Sequence, residues 1–332
     1  MNGHSITIQE DSHIRPRAVL GARVAIFVAV LFCLTPCLSQ SIPSKPDNGH
    51  PYTFRVPVDE ISLRFHASDQ FGKPLTQLTI GDLRLSDNGK LQGNIVTLQT
   101  LQDLPIRAGF LFDISASVLK DVWSDRSIIE TYASELLRKD VDQAFVMQFD
   151  TQTLLTQDWT DLDPAIARGA AAVGPRPNRY APLTAIFDSL YTTCRDRWKN
   201  QRESTGDFIL LFTDGEDNAS HVYLREAVDM CQRSHVAIYI FDSGRSSHSS
   251  EAYKTMTDLT HQTGGRLFLH PRREDIWNDL QMMEEEQRNQ YFLVYKPSQL
   301  KTDESFHRID LRCSVPGARI VSRSGYYAFA HP

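Results

Sequence analysis

Three oxygen-bearing side chains follow an apolar run near the centre of the chain. Residues 106–112 are mainly apolar, and Asp113, Ser115 and Ser117 come next at alternate positions. A short apolar run predicts a buried parallel strand, whose last residues point into the crevice where open α/β folds bind ligands. No His or Cys stands nearby in the sequence to activate either serine as a nucleophile. A carboxylate and two hydroxyls on one tight turn therefore favour a hard cation.

Two later stretches supply further oxygen atoms. Thr184 lies within Pro-Leu-Thr-Ala-Ile-Phe-Asp at 182–188, and Asp214 follows the apolar strand predicted at 208–212. Strands alternate with helices from residue 106 onwards, which predicts a doubly wound parallel sheet. Since the carboxyl ends of parallel strands share one edge of the sheet, Asp113 and Asp214 are expected at the same edge.

Three motifs in this order resemble the metal-ion-dependent adhesion site of von Willebrand factor A (VWA) domains: Asp-x-Ser-x-Ser at 113–117, Thr184, and Thr-Asp-Gly at 213–215. The resemblance covers about 106–283. With its flanks, the chain after residue 39 also resembles the secreted bacterial VWFA-related proteins of the acidobacterial type. The resemblance implies a Rossmann-like VWA sheet that binds Mg²⁺, or another divalent cation such as Ca²⁺ or Mn²⁺.

The resemblance also implies a role for each side chain. Ser115 and Ser117 would bind the metal directly, Thr184 would bind it directly once a ligand is engaged, and Asp113 and Asp214 would act largely through water. An open coordination position would accept an Asp or Glu carboxylate from a protein partner. The implied protein is a non-enzymatic binding protein of the adhesion type.

The chain departs from the family pattern at two places. Ala116 replaces the usual glycine between the serines, and Pro-Leu at 182–183 stands where the pattern often has Gly-Gly, which stiffens the loop before Thr184. Arg176 and Arg179 in this loop either favour an acidic ligand or are ordinary solvated charges. Asp217 is either a carboxylate that supports the metal site or a cap of the following helix.

Two other functions stay open. A haloacid-dehalogenase-type phosphotransferase also places an aspartate after its first strand, but it usually needs a second aspartate two residues later as general acid. Ser115 occupies that position here and cannot act as this acid near neutral pH. The other alternative is a structural or assembly component whose metal site is vestigial.

The composition is that of an ordinary globular protein. The 332 residues are 41% hydrophobic and 23% charged, and the formal net charge is −6 with no basic block. A nucleic-acid partner is therefore not expected.

The N-terminus has the features of a secretory signal. Arg15, Arg17 and Arg23 precede an apolar stretch at 24–38, which is shorter than the roughly 20 residues that a membrane span needs. We predict a signal peptide at 1–39 and no membrane span in the mature chain; an uncleaved anchor is the alternative. The expected location is the periplasm, the cell envelope or the extracellular space.

Three cysteines remain outside the predicted signal peptide. Cys194 and Cys231 fall on predicted helices of the central domain, so they can form one disulfide, while Cys313 lies near the C-terminus. Three buried free thiols are the alternative.

The pattern predicts five segments: a signal peptide at 1–39, a linker at 40–52, β segments at 53–104 and 289–332, and a VWA domain at 105–288. The fold class is α/β, with a mostly parallel, doubly wound sheet and helices on both of its faces. Neither β segment can bury much surface alone, so we expect the two to pair into one β-sandwich around the inserted domain. Two independent β appendages are the alternative.

Overall fold

The computed structural model describes residues 60–102, 105–176, 183–198, 206–242, 250–269, 273–299 and 303–328. The predicted signal peptide, the predicted linker and Arg179 lie outside these residues. No helix in the described ranges is both long and apolar enough to cross a bilayer.

The described part of the chain contains fourteen strands, six α-helices and one short 3-10 helix (Ile80–Asp82). The helices are α1 (Val122–Glu135), α2 (Asp163–Ala171), α3 (Ile186–Arg197), α4 (Leu224–Arg233), α5 (Glu251–Thr263) and α6 (Arg273–Arg288). The strands are β1 (Ile61–Ser68), β2 (Leu83–Asp87), β3 (Lys90–Gln92), β4 (Ile95–Gln102), β5 (Ile106–Asp113), β6 (Gln143–Phe149), β7 (Thr153–Thr160), β8 (Gly206–Thr213), β9 (Val236–Asp242), β10 (Leu267–Phe268), β11 (Asn289–Tyr295), β12 (Phe306–Cys313), β13 (Arg319–Ser322) and β14 (Gly325–Tyr327).

The central sheet has six strands in the order β10-β9-β8-β5-β6-β7. All neighbours are parallel except β7, which is an antiparallel edge strand on β6. Both β5 and β8 are buried along their whole length because helices cover both faces of the sheet. Helices α1, α2 and α6 pack on one face, and α3, α4 and α5 pack on the other. The predicted fold class is confirmed.

The direction of winding reverses between β5 and β8. These two strands are neighbours in the sheet although about 100 residues separate them along the chain: Phe112 of β5 lies opposite Phe212 of β8. A reversal of this kind leaves a crevice outside the carboxyl ends of the two strands, which is where open α/β sheets bind ligands. Asp113 ends β5, and Asp214 directly follows β8.

The two flanking β segments share two four-stranded sheets, in the orders β13-β1-β11-β4 and β14-β12-β2-β3. Strand β1 lies between two strands of the C-terminal segment, and β12 pairs with β2. One hydrophobic core joins the sheets and includes Leu63, Leu85, Leu293 and Leu311. Each segment thus supplies apolar surface that the other one covers.

Two elements differ from the sequence prediction. The C-terminal sequence predicts one strand over 319–327, but the structure divides it into β13 and β14, which belong to different sheets. The chain turns between them, where Ser324 N–H donates to His261 O at the end of α5 (2.8 Å). The sequence also predicts a helix over about 118–138 after the Asp113 strand, whereas α1 begins at Val122 and ends at Glu135. Residues before it form turns closed by the hydrogen bonds Leu119 N–H to Ser115 O and Asp121 N–H to Val118 O.

A disulfide joins Cys194 of α3 to Cys231 of α4, as one of the two sequence hypotheses proposed. Cys313 is a half-buried free thiol. The disulfide matters for the crevice because α3 begins just after Thr184, and α4 begins at the end of the loop that starts at Asp214.

Candidate metal centre

Asp113 is buried at the end of β5, with 1% of its surface exposed. Its Oδ1 accepts the Ser115 N–H (2.8 Å), and its Oδ2 accepts the hydroxyl of Thr213, the last residue of β8 (2.7 Å). Burial and, to a smaller extent, the nearby Asp214 carboxylate raise the pKa of Asp113 to about 6, although the hydrogen bonds from Ser115 and Thr213 favour the charged form. A bound cation would offset the cost of keeping this carboxylate charged.

The two serine hydroxyls of the motif lie side by side. Ser115 Oγ and Ser117 Oγ are 3.3 Å apart. In an octahedral Mg²⁺ site with metal–oxygen distances of about 2.0–2.1 Å, adjacent ligand oxygens lie about 3 Å apart. Ser115 is buried and Ser117 is exposed, so the pair reaches from the protein interior to solvent. The spacing suits two neighbouring ligands of one cation with an accessible outer side.

Asp214 lies next to Asp113 across the β5–β8 pair. It is 8% exposed, its Oδ1 accepts the Glu216 N–H (3.2 Å), and its charge acts on Asp113. Gly215, which follows it, has a φ of +80°, a conformation that favours glycine. The structure thus places the Asp-x-Ser-x-Ser turn and the Thr-Asp-Gly turn together.

Thr184 is held at the same edge by its backbone. Its N–H donates to Asn218 Oδ1 (2.9 Å), and its carbonyl oxygen accepts the N–H of Asn218 (3.0 Å). The next residue, Ala185, donates its N–H to Asp150 O (2.9 Å), at the end of β6. Thr184 is buried, and within the described residues its hydroxyl makes no hydrogen bond to the other four predicted ligands.

The remaining candidates of the sequence analysis have structural partners. Arg176 lies near the same edge, where its Nη2 donates to Gln152 O (2.7 Å) and its Nη1 is 3.5 Å from Asp150 Oδ1. Asp217 accepts the N–H of Phe187 at the start of α3 (3.1 Å) and the hydroxyl of Ser220 (2.6 Å). Both residues thus stabilise loops at the edge of the site through hydrogen bonds.

Sequence reasoning assigned no individual role to two supporting residues. Thr213 holds Asp113, and Asn218 holds Thr184. Thr213 is the first residue of the Thr-Asp-Gly motif and directly follows the strand predicted at 208–212, which was the available signal. Nothing in the pattern pointed to Asn218, because its partner is 34 residues away along the chain.

The donor set fits a hard divalent cation. The described residues contain no group of three or more His, Cys, Asp or Glu side chains that could hold a metal, so hydroxyls must supply part of any coordination here. Two carboxylates and three hydroxyls are all oxygen donors, which is the preference of Mg²⁺, Ca²⁺ and Mn²⁺. Asp113, Ser115, Ser117, Thr184 and Asp214 are therefore the residues that would hold the ion.

Replacement of Gly215 by alanine tests whether the turn after Asp214 has room for a side chain at this position. An added Cβ would strain the positive φ and lie 2.7 Å from both Ala252 O and Met256 Cγ. We expect the free energy of unfolding to fall by about 1–3 kcal/mol in urea titrations. Gly93→Ala is the matched control, because no atom lies within 4 Å of its added Cβ. Equal stabilities of the two variants would contradict this view of the turn.

Comparisons with known proteins return likenesses in structure only. No protein-family model matches the chain, and no curated protein sequence matches it. An aerotolerance-related membrane protein from Bacteroides fragilis is 14% identical with a TM-score of 0.43, over 55% of this chain and 98% of its own. The protein BatB from Bacteroides thetaiotaomicron is 15% identical with a TM-score of 0.44, over 54% and 98%.

A third structural similarity is to proximal thread matrix protein 1 from the mussel byssus. Its solved structure has zinc in its metal-ion-dependent adhesion site (MIDAS) motif. It is 14% identical with a TM-score of 0.46, over 60% of this chain and 50% of its own. These values are too low to carry an argument about the site. The strand order and the side chains at the reversal point themselves define a doubly wound α/β fold with a crevice outside the carboxyl ends of β5 and β8.

Proposed function

We propose that this chain is an exported, non-enzymatic binding protein. A divalent cation held by Asp113, Ser115, Ser117, Thr184 and Asp214 would engage an acidic group of a protein partner. Mg²⁺ is the first candidate, with Ca²⁺ and Mn²⁺ as alternatives, and the wider group of relatives would be the secreted VWFA-related proteins of the acidobacterial type. Export is supported by the N-terminal signal pattern and by the Cys194–Cys231 disulfide, since disulfides persist in oxidising compartments.

One observation carries this proposal: the Asp113 carboxylate and two adjacent serine hydroxyls meet the Thr-Asp-Gly turn at the reversal point of the sheet. Asp113 orients the loop through the Ser115 N–H, and Thr213 fixes the other carboxylate oxygen. Ser115 and Ser117 then present two adjacent neutral oxygens, of which that of Ser117 lies on the solvent side. When bound, the cation would supply the positive charge that attracts a partner's carboxylate.

A carboxylate is the expected partner group for reasons of charge. The only ionised side chains among the five proposed ligands are Asp113 and Asp214, and the family resemblance has both acting largely through water. The direct ligands are then neutral hydroxyls, which leave the cation with most of its charge. An Asp or Glu side chain from another protein can supply a hard anionic oxygen to it.

The first test is calorimetric titration with Mg²⁺. We expect the wild type to bind one ion and Asp113→Ala to bind it about 10–100-fold more weakly. Asp310→Ala is the matched control, because Asp310 lies on β12 in the β-sandwich and pairs with the exposed Arg312. Circular dichroism would check that each variant is folded. Equal Mg²⁺ heats for wild type and Asp113→Ala would refute the proposed site.

Two further measurements separate this function from its alternatives. If no divalent cation binds at millimolar concentration, a structural component with a vestigial site is favoured. If the protein hydrolyses a generic aryl phosphate in a Mg²⁺-dependent way that Asp113→Ala abolishes, a phosphotransferase is favoured.

A pull-down from the native cell envelope, with and without chelator, would test whether partner capture depends on the metal.

A further inference from the structure

A small cavity lies between the central sheet and the β-sandwich, at the end of the sheet opposite to the metal centre. Its volume is ≈ 40 Å³. Its wall includes Arg64 and His66 of β1, His235 after α4, Arg323 between β13 and β14, and Gln290 of β11. The cavity therefore brings together side chains from the N-terminal β segment, the α/β domain and the C-terminal β segment.

The ionised groups around the cavity are unequal in sign. Two carboxylates line it, and both are bound to further arginines: Asp207 to Arg107 through two hydrogen bonds, and Glu286 to Arg266. Arg64 and Arg323 line the cavity as well, so these six groups comprise four guanidinium ions and two carboxylates.

The ends of two helices weaken the positive potential of these guanidinium groups. Helix α4 ends at Arg233 and α5 at Thr263, both beside the cavity. A helix C-terminus acts as roughly half a negative charge, so the two together offset about one positive charge. The carboxylate of Asp229, which pairs with Arg233, also acts on Arg323.

Arg323 has hydrogen-bonding capacity to spare. Its Nη2 donates to Ser62 O (2.6 Å), while its buried Nε finds no acceptor among the described residues. An unmatched buried donor of this kind destabilises the folded state, and more so when the group is charged. A ligand that accepts from the guanidinium would remove that cost.

The pKa of His235 reflects the positive charge of the arginines at the cavity. Burial at the interface, together with the charges of Arg64 and Arg323, lowers the pKa of His235 to about 3. The imidazole is therefore neutral near pH 7. A neutral imidazole still carries one N–H that can donate to an anion.

The volume limits what can enter. One water molecule needs about 10–15 Å³ of such space, so the cavity holds about three water-sized atoms. Chloride, bromide, nitrate and bicarbonate are within this range. A sugar acid is too large.

From this geometry we propose that the cavity is a binding site for one small inorganic anion, held between Arg64, Arg323 and His235. The anion joins the two flanking β segments to the end of α4 and so stabilises the contact between the sandwich and the α/β domain. This site is independent of the metal centre, which lies at the opposite end of the central sheet.

The test compares sodium chloride with sodium gluconate, whose anion is too bulky for the cavity, at equal ionic strength. We expect about 100 mM chloride to raise the Tm of the wild type by about 2–4 °C relative to gluconate. Bromide and nitrate should act like chloride. Arg323→Gln should abolish the difference, and Arg312→Gln, on an exposed residue of β12, should preserve it.

A second measurement is available if Arg323→Gln fails to fold. Chloride titration of the wild type, followed by NMR of ¹⁵N-labelled histidine, should shift the ring signals of His235 with a saturable curve. His235→Asn assigns these signals, and asparagine tolerates the positive φ of 56° at this position. Equal Tm values in chloride and gluconate, together with unshifted His235 signals, would show that the cavity holds water alone and would overturn the proposal.

Discussion

Replacement of Asp142 by alanine is expected to lower the free energy of unfolding by about 3–5 kcal/mol. Asp142 lies before β6, and its side chain is fully buried. Its oxygens accept the N–H groups of Ile106 (2.8 Å) and Arg138 (2.9 Å), as well as guanidinium N–H groups of Arg138 and Arg288. One carboxylate therefore ties together the start of β5, the segment after α1 and the end of α6.

The expected loss is large because the partners stay behind. Without Asp142, the Ile106 N–H loses its acceptor, and the partly buried Arg288 loses one of its two carboxylate partners. Arg288 keeps its pairing with Glu284 and its hydrogen bond to Leu136 O (3.2 Å). Burial alone would raise the pKa of Asp142, but the hydrogen bonds from Arg288, Arg138 and the Ile106 N–H outweigh it, so the pKa is lowered. The folded state thus favours the charged carboxylate. The resulting stabilisation is present above the pKa of the unfolded state and is lost as the pH falls through the lower folded pKa.

Urea denaturation at neutral pH measures this loss. Asp142→Asn keeps the shape of the side chain and one acceptor oxygen, so it should lose less stability than Asp142→Ala. Asp310→Ala, which removes an exposed pair with Arg312, should leave the free energy of unfolding nearly unchanged. If Asp142→Ala were as stable as Asp310→Ala, Asp142 would not hold these elements together.

Removal of the Cys194–Cys231 disulfide is expected to lower the free energy of unfolding by an amount similar to that for Asp142→Ala. The bond closes a loop with a sequence separation of 37, for which the loss of chain entropy in the unfolded state stabilises the fold by about 4 kcal/mol. Both cysteines are buried, so the double variant Cys194→Ala/Cys231→Ala also leaves a small cavity. We expect the Tm of the double variant to fall by about 8–16 °C.

Removal of the disulfide should change Mg²⁺ affinity less than it changes the stability of the fold. The loops after β8 and before α3 are also joined by hydrogen bonds, from Phe187 N–H to Asp217 and from the N–H groups of His221 and Val222 to Asp188. These contacts remain when the disulfide is removed, so Mg²⁺ affinity in the double variant should stay within about tenfold of the wild type.

Reducing agent supplies the control for this prediction. It should lower the Tm of the wild type towards that of the double variant and leave the double variant unchanged. A wild-type Tm that does not respond to complete reduction, with reduction confirmed by thiol titration, would contradict the assigned role of the disulfide.

The sequence by itself determined the local elements and the position of the site along the chain. Apolar runs such as 208–212 predict buried strands, because a strand covered on both faces needs apolar side chains at every position. The oxygen-bearing residues at the ends of these runs, Asp113 and Asp214, could then be placed at one edge of the sheet, since parallel strands share their carboxyl ends.

Only the tertiary structure decided how that edge is supported. Thr213 was visible as part of a motif, but its hydrogen bond to Asp113 depends on β5 and β8 being neighbours. Asn218 meets Thr184, and Asp150 meets Ala185, through loops whose paths the sequence pattern does not give. The late start of α1 has the same origin, because turns after Ser115 take the place of its expected first residues.

The cavity between the sandwich and the α/β domain is another feature that only the tertiary structure determined. Nothing near Arg64, His235 or Arg323 in the sequence links them, and each reads alone as an ordinary polar residue. They meet because β1, the end of α4 and the turn between β13 and β14 converge where the sandwich packs on the central domain. Hydrophobic periodicity acts over a few residues and can be read along the chain, whereas contacts between distant segments depend on packing in three dimensions.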